Sequence, residues 1–192
     1  MINDQLVFEH QAIHQFLFSK IRWNQQQIEQ TRDGMPVGVL GLNTFERLTF
    51  PLLRFWWYVK TANYFGLSKL VGLKAWRNCR NSSLLGMISI QGTDKQAFVN
   101  GGRAMQRAWL QLTLQGLAVQ PIIGLPLLIH RLKQGALNEF TEQQKQAVKQ
   151  AAETLPDLFE IKKNDLLVIG FRIGKNKHFI QKTLRRNIIN RQ

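Results

Sequence analysis

Apolar positions recur with the period of an α-helix along most of this chain, and short extended runs separate the helical stretches. Residues 3–30 predict one long first helix. Its apolar positions are Leu6, Ile13, Phe16, Leu17 and Ile21. Asp33-Gly34 is typical of a turn, and residues 37–40 then predict a short extended segment.

The middle of the chain predicts two further helices and a strand. Thr44 is expected to cap a short helix. Pro51 is expected to open an aromatic-rich helix that breaks at Gly66 and Gly72. Residues 83–92 are then predicted to form a buried strand, because the run is mostly apolar.

Residues 94–116 form the clearest helical pattern, with apolar side chains on two neighbouring faces. The polar stripe between those faces is narrow and consists of Arg103, Arg107, Gln111 and Gln115. A helix with so little polar surface is expected to be buried on most sides. It is therefore predicted to lie at the centre of a domain or at a subunit interface.

The segment GLAVQPIIGL, residues 116–125, follows that helix and is expected to be extended. Pro121 fixes one φ angle and removes one N–H group. The N–H groups of Ile123 and Gly124 remain available to a ligand, and a glycine allows close approach to the backbone. From these residues alone, two interpretations stay open, a ligand-binding loop and a buried connection between helices.

The last third of the chain predicts two helices and a strand. A short helix is expected to end at Gly135, and Thr141 with Gln144 resembles a capping box for the next helix. Residues 165–174 predict a strand, and a basic tail follows over 175–192. The fold class is therefore expected to be α+β, in a single domain over residues 1–192.

Charge and cysteine content limit the possible functions. The chain has 26 Lys and Arg against 12 Asp and Glu, a formal charge of +14. Such an excess favours an anionic partner, or a chain whose acidic portion lies elsewhere. The one cysteine, Cys79, excludes an intramolecular disulfide and fits a reducing compartment. With no signal peptide and no membrane-spanning run expected, the location is predicted to be cytoplasmic.

Candidate chemical motifs are few. His10 and His14 have the i, i+4 spacing that can hold a metal, but no third ligand is near in sequence, so no metal site is predicted. The glycines at 170 and 174 lack the spacing of a phosphate-binding P-loop. No acid–base or nucleophile constellation is visible. In the tail, Arg185 and Arg186 are either phosphate ligands or part of a solvated basic surface.

Several segments taken together resemble the nitroreductase-like FMN-dependent oxidoreductases. NGGRAMQRAWLQLTLQGLAVQPIIGL is similar to the central helix and flavin loop of that family, through Gly116, Leu117, Pro121, Ile122 and Gly124. FRIG and the later TLRR are similar to its last strand and closing arginines. RWNQQQIEQTRDGMPVGVLGL resembles a central segment of the longer members, so the match covers the C-terminal half to two-thirds of the family pattern.

This resemblance implies an α+β flavoprotein with a central buried helix and a small sheet. It implies FMN binding by the backbone near Pro121, Ile122, Ile123 and Gly124, and by the side chains of Arg172, Arg185 and Arg186. NAD(P)H would be the co-substrate and a small molecule the electron acceptor. No catalytic side chain is expected, because the flavin carries the chemistry.

One departure from the family affects the expected partners. The N-terminal arginine- and serine-rich motif that grips the FMN phosphate has no counterpart in residues 1–35. The chain is therefore expected to form a homodimer or to need a missing N-terminal half. Two alternatives remain, a cofactor-free structural half and a non-enzymatic basic protein that binds nucleic acid or anionic surfaces. A nucleic-acid partner is not expected, since most tryptophans fall on apolar faces of predicted helices, where they favour core packing over base stacking.

Overall fold

The structure is a computed structural model that describes residues 2–162, 164–175 and 183–184. It contains both helices and strands, with helix predominating, which is consistent with the predicted α+β class. The described residues form two compact units. The first, here called the sheet unit, consists of Ile2, Asn3 and residues 72–175; the second, the aromatic unit, is built from residues 4–71 with 183–184.

The helices and strands of the described residues do not follow a repeating order along the chain. The α-helices are α1 (Ile2–Glu9), α2 (Gln11–Ser19), α3 (Gln25–Thr31), α4 (Thr44–Thr49), α5 (Trp56–Tyr64), α6 (Leu67–Arg80), α7 (Lys95–Leu114), α8 (Gly124–Lys133) and α9 (Glu142–Leu158). The strands are β1 (Ile21–Arg22), β2 (Met35–Pro36), β3 (Leu84–Gln91), β4 (Leu117–Ile122) and β5 (Asp165–Lys175).

The sheet unit is organised around a three-stranded antiparallel sheet with β5 in the centre, in the order β3-β5-β4. Helix α7 contacts all three strands. Met105 of α7 packs on Phe171 and Ile173 of β5. Partly buried side chains complete this core, namely Ile88, Leu112, Leu117, Val119 and Ile169.

An irregularity in the register of β3 and β5 shapes the sheet beneath α7. Ile88 pairs with Ile169 and Ser89 with Leu167, so Val168 has no partner on β3. This is the arrangement of a β-bulge, in which two residues oppose one. Val168 reaches α7 at Gly101, where an added Cβ would lie 2.7 Å from a Val168 methyl carbon. The helix can approach the sheet this closely because position 101 has no side chain.

Burial of α7 is less than its sequence predicts. Ala97, Gly101 and Met105 are buried, but Leu110 and Leu114 are largely exposed. Within the single chain the helix is therefore not buried on most sides, so its predicted place at the centre of a domain is wrong, whereas its place at a subunit interface stays a prediction. A single layer of sheet covers one face of a helix, and the described residues of this unit place no second layer on the other face.

The strand predicted over residues 83–92 is present as β3, but it is not buried. It is an edge strand, and the side chains of Leu84 and Leu85 are exposed. The apolar run that indicates a strand does not distinguish an edge from the centre of a sheet. The predicted strand over 165–174 is confirmed as β5, which occupies the central position.

The predicted long helix over residues 3–30 is wrong, because three short helices occupy this range. His10 is extended between α1 and α2, and β1 pairs in parallel with β2. Asn24 caps α3 by accepting a hydrogen bond of 2.9 Å from the Gln27 N–H. Arg22 forms a 2.6 Å ion pair with Asp33. Asn24 therefore begins a new helix, and the Arg22–Asp33 pair joins the chain before that helix to the chain after it, although the apolar period continues.

Three smaller expectations in the aromatic unit also need correction. Residues 37–40 form a 3₁₀ helix rather than an extended segment. Asn43, not Thr44, caps α4 through a full capping box with Glu46. Pro51 begins only a 3₁₀ turn, Phe50–Arg54, before α5 starts.

The two predicted helix breaks have different outcomes. The break at Gly66 is confirmed, because this residue has a φ of 86° that favours glycine. The break at Gly72 is wrong, since α6 continues through it. A single glycine in a helix costs only about 1 kcal/mol, so the rest of the helix can outweigh it.

Candidate functional site

The candidate site lies where β4 ends and α8 begins. Residues 117–122 are extended, as predicted, and form an edge strand along the C-terminal half of β5. Pro121 pairs with Phe171 on this edge strand. Proline is tolerated in such edge positions because the absent donor faces away from the neighbouring strand.

Ile123 is the N-cap residue of α8, and its side chain is 56% exposed. The first N–H groups of a helix have no acceptor within the helix. Within the part of the chain that the structure describes, the N–H groups of Ile123 and Gly124 donate to no acceptor. The two backbone donors that the sequence marks are therefore available at the start of α8.

The close neighbour of Gly124 is a side chain of the protein, whereas the sequence suggests a ligand. A Cβ at this position would collide with the side-chain amide of Asn3. The close approach that the glycine allows is thus made by an asparagine of the same unit. No local sequence signal connects Asn3 with Gly124, because the two residues lie far apart in the chain.

An apolar cavity of about 370 Å³ adjoins Ile123 within the sheet unit. Its wall is formed by α7, α8 and the bulged part of β5. The lining residues are Phe98, Gly102, Met105, Ile123, Pro126, Leu127, Leu167, Val168 and Ile169. A volume of this size falls in the range of small-molecule sites. The exposed side chains of Ile123 and Leu127 form part of its rim.

Arg172 is not brought to this cavity. Side chains alternate between the two faces of a strand, so Arg172 lies on the face opposite Phe171 and Met105. Its Nε donates a hydrogen bond of 2.5 Å to the Gln120 side chain on the neighbouring strand. Arg185 and Arg186, with most of the predicted tail over 175–192, lie outside the described residues.

The aromatic unit has its own cavity, of about 550 Å³, beside α2, β1 and α3. It is lined by Gln15, Phe18, Ser19, Ile21, Arg22, Trp23, Gln27, Thr31 and Arg54. The Arg22 guanidinium in its wall is already bonded to Thr31 and Asp33. The sequence does not predict this cavity, because it forms where residues 15–31 fold back on themselves and meet Arg54.

His14 is a core residue. Its side chain is 0% exposed, and its Nε2 lies 2.7 Å from the Leu53 carbonyl oxygen, to which it donates. The ring stacks on Phe18 at 4.2 Å between centroids. Burial lowers the pKa of His14, an effect that the hydrogen bond to Leu53 partly opposes. No cluster of three metal-ligating side chains occurs in residues 2–162, 164–175 and 183–184.

In comparisons with known proteins, no family model matches the chain, and neither a curated protein nor a solved structure matches it. No helix within the described ranges is both long and apolar enough to cross a membrane.

Proposed function

We propose that the chain is a nitroreductase-like FMN-dependent oxidoreductase, or the C-terminal portion of one. The observation that carries this proposal is the unpaired N–H of Ile123 on the rim of an apolar cavity. It lies in the same segment, Pro121 to Gly124, that resembles the flavin loop of the family. A backbone donor beside an apolar surface suits a flat ring with polar edges.

The residues present fit the flavin ring in part. The Ile123 N–H would donate to the ring edge near N5, and the exposed Ile123 and Leu127 side chains would cover the apolar ring surface. When bound, FMN supplies hydride transfer between NAD(P)H and a small-molecule acceptor. The protein then provides position and exclusion of water rather than an acid or base, in keeping with the site's lack of charged side chains.

The phosphate end of the cofactor is assigned to Arg185 and Arg186 by the resemblance. Arg172 is the weaker candidate of the three, because its guanidinium is bonded to Gln120 on the other face of the sheet. We further propose that a second copy or a separate N-terminal half completes the site. The exposed rim at Ile123 and Leu127 would then be covered in the assembled cytoplasmic enzyme.

Titration of the purified chain with FMN, followed by flavin absorbance and fluorescence, tests this proposal. The decisive variant is Ile123→Pro, which removes the donor N–H, with Ile123→Ala as the control that keeps it. Ile122 is already extended, as a residue before proline must be. Loss of one hydrogen bond worth about 1 kcal/mol predicts roughly five- to tenfold weaker FMN binding in Ile123→Pro than in Ile123→Ala.

Two results would count against the proposal. One is a chain that takes up no FMN at micromolar concentration, either alone or with an added N-terminal half. The other is equal FMN affinity in Ile123→Pro and Ile123→Ala when circular dichroism shows both variants to be folded. The second result would leave flavin binding possible but remove Ile123 from it.

A further inference from the structure

Helix α6 carries an exposed face on which apolar and basic side chains are interleaved. Residues 69, 73, 76 and 80 follow one line along a helix, and 70 and 77 lie beside that line. The Leu70 side chain is 64% exposed, and those of Leu73 and Trp76 are also exposed. Basic side chains occupy the other positions, Lys69, Arg77 and Arg80.

Three positive charges, those of Lys69, Arg77 and Arg80, lie on this face. Helix α6 contains no Asp or Glu. No carboxylate of a described residue forms an ion pair with Lys69, Arg77 or Arg80. The Arg80 guanidinium instead lies 5.2 Å from the centre of the Trp76 ring. The face therefore presents positive charge and apolar surface together.

The segment before α6 has the same character. Trp57 and Tyr64 lie two turns apart on the exposed side of α5, and Phe65 directly after it is 86% exposed. Between Phe45 and Arg80 the sequence contains seven Lys or Arg residues and one acidic residue, Glu46. Exposed apolar side chains in such number call for an explanation.

We propose that the exposed face of α6 binds an anionic lipid surface, with the helix lying in the plane of the headgroups. Helices of this kind combine Lys and Arg with Trp, Phe and Leu, and they respond to anionic lipid. Tryptophan and tyrosine favour the boundary between headgroups and acyl chains. This function is independent of flavin binding.

The composition of this face favours an anionic lipid surface over nucleic acid and over a second copy of the chain, the two other partners that could cover it. Nucleic acid would use the basic residues and Trp76, but Leu70 and Leu73 cannot stack on bases as aromatic rings do. A second copy of α6 placed against the first would bring like charges together, which opposes association. An anionic bilayer satisfies both the charges and the leucines.

Co-sedimentation of the full chain with vesicles tests the proposal. One set of vesicles is phosphatidylcholine alone, and the other is phosphatidylcholine mixed with phosphatidylserine. We expect binding to the mixed vesicles only. Each basic residue near an anionic surface contributes about fivefold in affinity, so the triple variant Lys69→Gln, Arg77→Gln, Arg80→Gln should bind on the order of 100-fold more weakly.

A matched control removes the same charge elsewhere. Arg103, Arg107 and Lys149 are exposed on α7 and α9, and their replacement by Gln changes the net charge equally. We expect this control to bind mixed vesicles much more strongly than the α6 variant does. Equal losses in the two variants would show that only total charge matters and would overturn the assignment to α6.

The leucines distinguish lipid from the other occupants. Leu70→Ser with Leu73→Ser should weaken vesicle binding severalfold while leaving any binding to single-stranded RNA unchanged. RNA binding without vesicle binding would replace the lipid proposal by a nucleic-acid site. A dimer of the parent chain that this double variant converts to a monomer, again without vesicle binding, would identify the face as a self-association surface.

Discussion

The interior of the sheet unit is mostly aliphatic and layered, whereas the interior of the aromatic unit is built from rings around a buried histidine. In the first, α7 lies on β5 through Met105, Phe171 and Ile173. In the second, Phe8, Phe18 and Trp56 surround His14, with centroid distances of 6.2, 4.2 and 5.3 Å. Regular elements supply the first core, and short helices joined by turns supply the second.

The two units use different contacts to fix the packing of their elements. In the sheet unit, close approach of helix and sheet requires a position without a side chain, Gly101. In the aromatic unit, polar side chains fix the ends of the elements through bonds to the backbone. Asn63 donates to the Phe8 carbonyl and accepts from the Ser68 N–H, and His14 donates to the Leu53 carbonyl.

The largest expected effect tests the close packing in the sheet unit through two adjacent glycines of α7. Gly101→Ala would force a methyl group against Val168, and this overpacking should lower the free energy of unfolding by about 1–3 kcal/mol. The higher helix propensity of alanine offsets a part of that loss. Gly102→Ala meets no atom within 4 Å and should raise the free energy of unfolding by about 0.5–1 kcal/mol. Urea denaturation measures both changes.

The opposite signs make this pair informative, because both variants change the helix propensity alike. If Gly101→Ala were as stable as Gly102→Ala, the contact between α7 and the bulge of β5 would not limit the packing. The layered description of this core would then have to be abandoned.

The next effect tests the aromatic unit through pH. The pKa of His14 is lowered by burial from its ordinary value of 6.5, so below that pH the unfolded chain binds a proton more readily than the folded one. The stability contribution is complete above about pH 6.5 and is lost as the pH falls toward the folded-state pKa. The slope for one such proton is at most about 1.4 kcal/mol per pH unit.

His14→Gln should remove this slope, since glutamine can still donate to the Leu53 carbonyl but does not titrate. Denaturation followed by tryptophan fluorescence at several pH values below 6.5 compares the two chains. The same pH dependence in both would mean that His14 is not buried in its neutral form, and the core of the aromatic unit would need a different description.

The sequence predicts the sheet unit better than the aromatic unit for a physical reason. Where a local signal decides the structure, the expectation is confirmed. The capping box of Thr141 and Gln144 is present, and Gly135 has the positive φ of 67° expected after a helix. In the aromatic unit, the long predicted helix fails because the bond from Arg22 to Asp33 and the cap at Asn24 outweigh the apolar period.

One part of the candidate site could be predicted from the sequence, and another part could not. The extended segment and the free N–H groups of Ile123 and Gly124 follow from the positions of Pro121 and the glycine. The approach of Asn3 to Gly124 and the bulge at Val168 depend on residues distant in sequence. No periodicity in a single chain reports such contacts, so the shape of the cavity could not be predicted.

The smallest expected effect concerns the cap of α4, where the sequence indicates Thr44 and the structure has Asn43. The Asn43 side chain accepts a bond of 2.8 Å from the Glu46 N–H, and the Glu46 carboxylate accepts one of 3.0 Å from the Asn43 N–H. Asn43→Ala should therefore cost about 1 kcal/mol, and Thr44→Ala close to nothing. Thr141→Ala, at the other capping box, serves as the reference for a full cap in the sheet unit. Urea denaturation of the three variants gives the free energy of unfolding of each. A larger decrease for Thr44→Ala than for Asn43→Ala would show that Thr44 is the cap, as the sequence suggests.

Because side-chain-to-backbone bonds set the helix ends of the aromatic unit, the decrease in the free energy of unfolding for Asn43→Ala should match that for Thr141→Ala, although α4 is much the shorter helix.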